Sequence, residues 1–426
     1  MKFAVTGPLA DKNLGDYAMF VNNIYDLGDA HDYSVFHYSG DFVKQLDKDY
    51  FKRFNCNYTE VEFNKSFYTK PKFSTRIFRK LLSYIDIELP FKNTIPVSSE
   101  ILARVNNLEQ IEEVIKGCDS LIVSGGGYFN KLWFEWARRD DLFKILVPIL
   151  VAKKHNKKIF FTANGYGPFD ESDKYFCDFF GIIPDASLGV RDKLLSKVYL
   201  NRLGVSDENI TYLPDDLYIV NEALTKDSIM QESGDYIVLE FYYGLEWAKK
   251  NLKLIENFID EVWHKHKCRV VYMPFDHTPV ADFLKSNINN EHFSVWDIDD
   301  YLKIEDAIYI IKNAKAVLCN RYHALVLSLQ NKVPVINIMK EVYDFRYYYN
   351  KNSGVLANTF DGLLFDENIF LKIGAEEAFP WFSKNIDVIL KAQNQLYSTE
   401  TYTENKLNLA KARYDFLNII LTKDTN

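Results

Sequence analysis

Residues 120–127 read Ser-Leu-Ile-Val-Ser-Gly-Gly-Gly, a short apolar run that stops on glycines. A bounded apolar run of this length suits a buried strand, and the glycines a loop where backbone can approach a neighbour or a ligand. The same grammar recurs on both sides. Upstream, Lys2 to Gly7 (KFAVTG) reads as a strand, Asn13-Leu14-Gly15-Asp16 as the loop after it, and residues 17–27 as a helix. Downstream, residues 141–154 are helix-like, and Lys158 to Ala163 (KIFFTA) is a strand ending in Asn164-Gly165-Tyr166-Gly167-Pro168. Ala186 to Val190 is a further strand, with Arg191-Asp192 opening the next helix. Strands alternating with helices, each closed by a glycine or polar loop, predict parallel α/β sheets.

The pattern breaks near Leu213-Pro214-Asp215-Asp216, and residues 219–234 read as a polar linker. A second α/β unit begins with Asp235 to Phe241 (DYIVLEF), and its later strands are residues 269–273, 316–319 and 333–338. The expectation is two Rossmann-like, doubly wound α/β domains facing a cleft, with ligands outside the carboxyl ends of the strands. The first would span residues 1–220, with a variable insertion at about 40–115, and the second 235–375. Residues 376–426, strongly helix-forming from 385 to 421, should pack back on the first.

Composition narrows the function classes. The chain has 426 residues, 47% hydrophobic and 26% charged, the balance of folded globular domains. A net charge of −8 argues against general nucleic-acid binding. One basic, aromatic stretch stands out: Lys65 to Lys80 carries Lys65, Lys70, Lys72, Arg76, Arg79 and Lys80 among Phe67, Tyr68, Phe73 and Phe78, with no acidic residue. It reads either as a solvated face or as a peripheral contact with anionic lipid, into which Phe67, Phe73 and Phe78 could insert if exposed. The five cysteines form no C-x-x-C pair, which fits a reducing cytosol. No run approaches the roughly 18 apolar residues of a spanning helix, and MKFAVTG lacks the apolar core of a secretory signal. A cytoplasmic protein, at most peripheral to the membrane, is expected.

Three loops carry residues suited to chemistry. In Asn13-x-Gly15-Asp16 a glycine permits close backbone approach and Asp16 can cap a helix. Gly125-Gly126-Gly127 can offer backbone amides to a phosphate or hydroxyl, or can be a tight packing turn. It is neither a Walker A nor a G-x-G-x-x-G sequence. Asn320-Arg321-Tyr322-His323 follows a strand and opens a helix, where the dipole favours an anion. Arg191 and Lys340 also follow strands. No metal-ligand spacing or G-x-S-x-G elbow occurs, so no metal and no cofactor is expected. Asp215-Asp216 reads as a turn where the domains meet, or alternatively as a metal–diphosphate pair.

In order, N-x-G-D (13–16), G-G-G (125–127), N-G-x-G-P (164–168), V-R-D (190–192), P-D-D (214–216), M-P-F (273–275), R-Y-H-A (321–324) and K-x-P-V-I (332–336) resemble the polysaccharide pyruvyl transferase family. The resemblance covers roughly residues 5–345. It implies two Rossmann-like domains resembling the GT-B glycosyltransferase architecture, and phosphoenolpyruvate as a co-substrate whose pyruvyl group becomes a ketal on a sugar. The acceptor would be a sugar of a bacterial surface polysaccharide, such as an exopolysaccharide or capsule, or its lipid-linked precursor. By motif, His323 resembles the general acid, and Arg191, Arg321, Tyr322 and Lys340 the donor-binding residues. Asn13, Asp16, Gly125, Gly126, Gly127 and Asn164 form a second tier around the substrate. Tyr322 stands where the family often has leucine. Arginine's planar fork suits the donor's carboxylate and phosphate, and histidine can deliver a proton near neutral pH.

Two other readings use the same residues. One is a GT-B glycosyltransferase taking a nucleotide sugar, although no acidic residue in the second domain has an obvious ribose-holding spacing. The other is a catalytically silent sugar-phosphate-binding protein, against which the intact Arg191, Arg321 and His323 argue.

Overall fold

The computed structural model describes residues 1–9, 12–68, 96–135, 138–225, 234–275, 279–339 and 345–422, with backbone alone at 345–348. By its internal contacts the chain divides into two compact units, Met1–Ala10, Ala30–Leu188 and Ser196–Thr211 against Asp11–Asp29, Gly189–Leu195 and Tyr212–Asn426.

The first sheet contains β1 (Lys2–Thr6), β2 (Asp32–His37), β3 (Asn55–Glu60), β4 (Ser120–Val123), β5 (Gly126–Phe129), β6 (Lys158–Tyr166), β7 (Ser187–Val190) and β8 (Ile210–Tyr212). Its order is β3-β2-β1-β4-β6-β7-β8, with β5 beside β6. β1 runs parallel to both β2 and β4, and from Phe3 to Thr6 every residue is buried. A central parallel strand is covered on both faces, hence its unbroken apolar run. Residues 40–115, expected to be an insertion, contribute the edge strand β3 and the helices Asp41–Tyr50, Ser98–Ala103 and Leu108–Lys116. Residues 69–80 of the basic stretch lie outside the described residues. Phe67, inside it, is buried edge-on against Phe143 with Arg104 over its ring, so it is a packing residue and not one free to insert.

The second sheet contains β9 (Tyr236–Leu239), β10 (Arg269–Tyr272), β11 (Phe293–Val295), β12 (Ala316–Cys319), β13 (Val335–Met339) and β14 (Leu371–Ile373), in the order β11-β10-β9-β12-β13-β14. All its pairings are parallel. The chain winds outward from β9 in one direction and from β12 in the other. Their junction is the topological switch point, outside whose carboxyl ends ligands of doubly wound sheets bind. The core centres on Ile237, Leu239, Val270, Leu318 and Ile336.

Two long helices complete this unit. Ala375–Tyr397 buries Phe379 and Phe382 against Phe258, and its Gln393 side chain both donates to and accepts from the Val335 backbone at 2.8 Å. Glu400–Leu421 reaches the helix Leu14–Leu27, where Arg413 meets Asp26 and Asn23. Leu14–Leu27 clusters with the second unit although β1 belongs to the first, and the 376–426 segment meets it there. The reason is polar: Asn22 donates to the carbonyls of Asp216 and Ile219, and Asn23 to the Asp216 carboxylate. Among the described residues no helix is long and apolar enough to cross a membrane.

Candidate active site

The segment after β12 determines where the reactive side chains fall. Arg321 has extended backbone (φ −75°, ψ 136°) and is the N-cap of the helix Tyr322–Gln330. β9 lies beside β12 in register, Leu239 opposite Leu318, so Glu240 emerges next to this helix start. Its buried carboxylate accepts the backbone N–H groups of Asn320 at 2.9 Å and Arg321 at 2.7 Å. At this helix start, where the sequence predicts an anion, the two amides are already held by a carboxylate of the protein. Glu240 was missed in the sequence, although an acidic residue directly after a strand at the switch point was there to read.

Arg321 lies flat, its guanidinium carbon 3.9 Å from the centre of the Tyr242 ring and its Nε 4.0 Å from Glu240. Its side chain stays 19% exposed. Arg191 is different. It is 3% exposed, donates to Asp215 Oδ2 at 2.9 Å and stacks 4.5 Å above the Tyr322 ring. Its carbonyl accepts from Asn358 at 2.7 Å. Arg191 and Asp192 precede the helix Ser196–Arg202 rather than open it, Asp192 taking the N–H groups of Leu194 and Leu195. Both arginines belong to the second unit.

Tyr322 is buried and serves as the platform under Arg191, with its ring 5.0 Å from that of His323. Burial, with the Asp215 charge, holds its phenol well above the usual range. His323 is 12% exposed, and its Nε2 lies 3.7 Å from Asp215 Oδ2, longer than a hydrogen bond. Burial alone would raise the Asp215 carboxyl. The His323 ring, the Arg191 guanidinium and the Leu217 N–H outweigh it and hold the group well below the carboxylate range.

The N-x-G-D loop explains itself at His323. A β-carbon on Gly15 would stand 1.8 Å from His323 Nδ1 and 2.4 Å from Cε1, so only glycine lets the ring lie where it does. Asn13 is the N-cap residue of Leu14–Leu27, and its side-chain amide donates to Asp16 at 2.9 Å. Asp216, the other half of P-D-D, is fully buried and bonded to Arg413 at 2.7 Å and Asn23 at 2.8 Å. Asp215 and Asp216 stand at a turn, one of the two readings the sequence offered, and both are buried anchors. Among the described residues no group of three or more His, Cys, Asp or Glu side chains could hold a metal.

Gly125, Gly126, Gly127 and Asn164 lie in the first unit. Gly126 and Gly127 are strand residues of β5 rather than an open loop. A β-carbon on Gly126 would meet the Tyr128 ring at 2.6 Å, which accounts for that glycine by packing. Asn164 lies within β6, opposite Gly126, donating to Thr162 at 3.2 Å. Lys340 falls outside the described residues.

The sequence profile of polysaccharide pyruvyl transferase matches residues 13–339. The chain belongs to the polysaccharide pyruvyl transferase family. The span matched in this family includes Gly15, Arg191, Asp215, Glu240 and the 320–323 segment, while Arg413 lies beyond it. No curated protein sequence matches the chain. Among solved structures, a UDP-GlcNAc 2-epimerase from Neisseria meningitidis bound to UDP-GlcNAc is similar over 99% of this chain and 100% of its own, with 12% identity and a TM-score of 0.58. The Methanocaldococcus jannaschii UDP-GlcNAc 2-epimerase covers 96% and 99%, with 14% identity and a TM-score of 0.51. The Anabaena protein HepE with UDP and glucose covers 99% of both, with 9% identity and a TM-score of 0.52. At these identities the likeness concerns the fold, which is that of the GT-B class. This pyruvyl transferase family chain thus shares an α/β scaffold with nucleotide-sugar enzymes while carrying its own family's loops.

Proposed function

We propose that this chain transfers the pyruvyl group of phosphoenolpyruvate to two hydroxyls of a sugar, forming a pyruvate ketal and releasing phosphate. The observation that carries the reading is the seat of His323, between the buried Asp215 carboxylate and Gly15 at the end of β12. Arg321 stands two residues before it, partly exposed. In this reading His323 protonates the methylene carbon of the enol phosphate, and one sugar hydroxyl adds to the adjacent carbon, losing its proton. The carbon–oxygen bond to phosphate then breaks, and the second hydroxyl closes the ketal and gives up its proton. One proton ends on the new methyl group and the other is released with phosphate. Arg321 offers the paired donors that a carboxylate or phosphate accepts. The acceptor is a sugar of a polysaccharide or of its lipid-linked precursor, and the reaction takes place on the cytoplasmic side, with no metal required.

The second reading, a glycosyl transfer or related chemistry on a nucleotide sugar, draws on the structural neighbours, two of which bind UDP-sugar or UDP. Calorimetric titration with phosphoenolpyruvate and with UDP-GlcNAc separates the two. Phosphoenolpyruvate binding, followed by phosphate release and a ketal methyl signal on an oligosaccharide acceptor, supports pyruvyl transfer. Tight UDP-sugar binding with none for phosphoenolpyruvate would overturn it.

A further inference from the structure

Asp215 is a buried carboxylate with both oxygens in use. Oδ1 accepts the Leu217 N–H at 3.0 Å and Oδ2 accepts Arg191 Nη1 at 2.9 Å, so the plane of the group is fixed by backbone on one side and by a guanidinium on the other. The same Oδ2 faces His323 Nε2 at 3.7 Å. That ring nitrogen is buried and has no hydrogen-bond partner among the described residues. A buried polar nitrogen without a partner is destabilising. A shift of about 1 Å would bring this pair to hydrogen-bond distance, and catalytic hydrogen bonds are commonly long until substrate is bound.

The ring has little freedom to turn elsewhere. Its Nδ1 edge lies against Gly15, and Tyr322 closes in at 5.0 Å. Arg191, paired with Asp215, stacks on the Tyr322 ring at 4.5 Å. A carboxylate facing one imidazole nitrogen favours the tautomer that carries its proton on that nitrogen.

We infer that Asp215 is a positioning residue that fixes the orientation and tautomer of His323 through Nε2 while holding Arg191 in place, without touching substrate itself. The inference rests on the pyruvyl-transfer reading for the reaction, but the arrangement of the ring is measurable without it. Asp215→Asn keeps the size and removes the charge, and Asp215→Glu keeps the charge.

The test has two arms. In the first, ¹⁵N-histidine NMR spectra, with the His323 signals assigned by their loss in His323→Ala, report which ring nitrogen carries the proton. Asp215→Asn should reduce protonation at His323 Nε2 and leave the other histidines unchanged. In the second, turnover with phosphoenolpyruvate should fall by about two to four orders of magnitude in Asp215→Asn, mainly in kcat, with partial recovery in Asp215→Glu. If the single variant does not fold, Arg191→Met with Asp215→Asn removes both buried charges together and the His323 signals are read there. An unmoved His323 signal overturns the inference, whether or not turnover falls, because Asp215 would then be structural. A moved signal with wild-type kcat also overturns it. Failure of the wild-type chain to use phosphoenolpyruvate would defeat the reading of the reaction instead, leaving the NMR arm to judge Asp215.

Discussion

His323 and Gly15 occupy one another's space: a single methyl group on the glycine would lie 1.8 Å from the imidazole Nδ1. The second residue of the helix Leu14–Leu27 is therefore set by a side chain far along the sequence. In a helix, replacing glycine with alanine ordinarily gains about 1 kcal/mol. Here Gly15→Ala should displace the ring and lower turnover by about 100-fold, with a melting temperature that does not rise. Steady-state kinetics and thermal unfolding check it, and unchanged turnover would show that the ring's seat is irrelevant to catalysis.

His323→Ala should reduce turnover by roughly two to four orders of magnitude while phosphoenolpyruvate binding stays measurable by calorimetry. Near-normal turnover in a folded variant would remove His323 from the chemistry.

The two arginines should separate. Arg321 is partly exposed, so Arg321→Lys should weaken phosphoenolpyruvate binding with little change in unfolding, because lysine lacks the planar fork. Arg191 is buried on Asp215, and Arg191→Met removes the guanidinium from that buried carboxylate. It should destabilise the fold by about 3–5 kcal/mol, seen in the denaturant midpoint. Equal stability of the two variants would contradict the burial difference between them.

A pH effect is expected from Glu135, in the first unit. Its burial, and then the neighbouring Glu171 charge, push its carboxyl from 4.5 to about 7. The folded chain therefore binds more protons here than the unfolded chain, so stability contributed by this group is present below about 4.5 and lost as pH rises through about 7. Glu135 is only half-buried, which limits the effect to on the order of 1–2 kcal/mol. Glu135→Gln should leave stability near wild type at pH 4.5 and above it at pH 7.5, by chemical denaturation. A constant difference across that window would count against the shift.

The strands that anchor both sheets were legible because central parallel strands are apolar throughout: β1, β4, β9 and β12 all announce themselves. Asn55–Glu60 and Ile210–Tyr212 did not, since an edge strand half open to water needs no apolar run. The residues after strands were legible as a class, which is how Arg191, Arg321 and His323 came to notice. Their partnerships were not. Nothing near Asp215 in the sequence announces that it will bind Arg191, 24 residues away, and face His323. Gly126 misled in the opposite sense, because a glycine cleared for a neighbouring tyrosine ring looks the same in sequence as one cleared for a phosphate.

Arg413 carries a consequence for the order in which the molecule can be completed. Its guanidinium is the buried counter-charge of Asp26 and Asp216, and it is made 387 residues after Asp26. At the roughly 5–20 residues per second of synthesis, that interval is on the order of tens of seconds. Until it ends, the helix Leu14–Leu27 and the Pro214–Asp216 turn can settle only by burying carboxylates without a cation, which is strongly unfavourable. A ribosome-held chain would thus already contain His323, Gly15 and Asp215, and bringing them together would cost the burial of Asp26 and Asp216 without their cation. Nascent chains arrested before and after Arg413 has emerged should differ sharply in protease resistance of the Leu14–Leu27 segment.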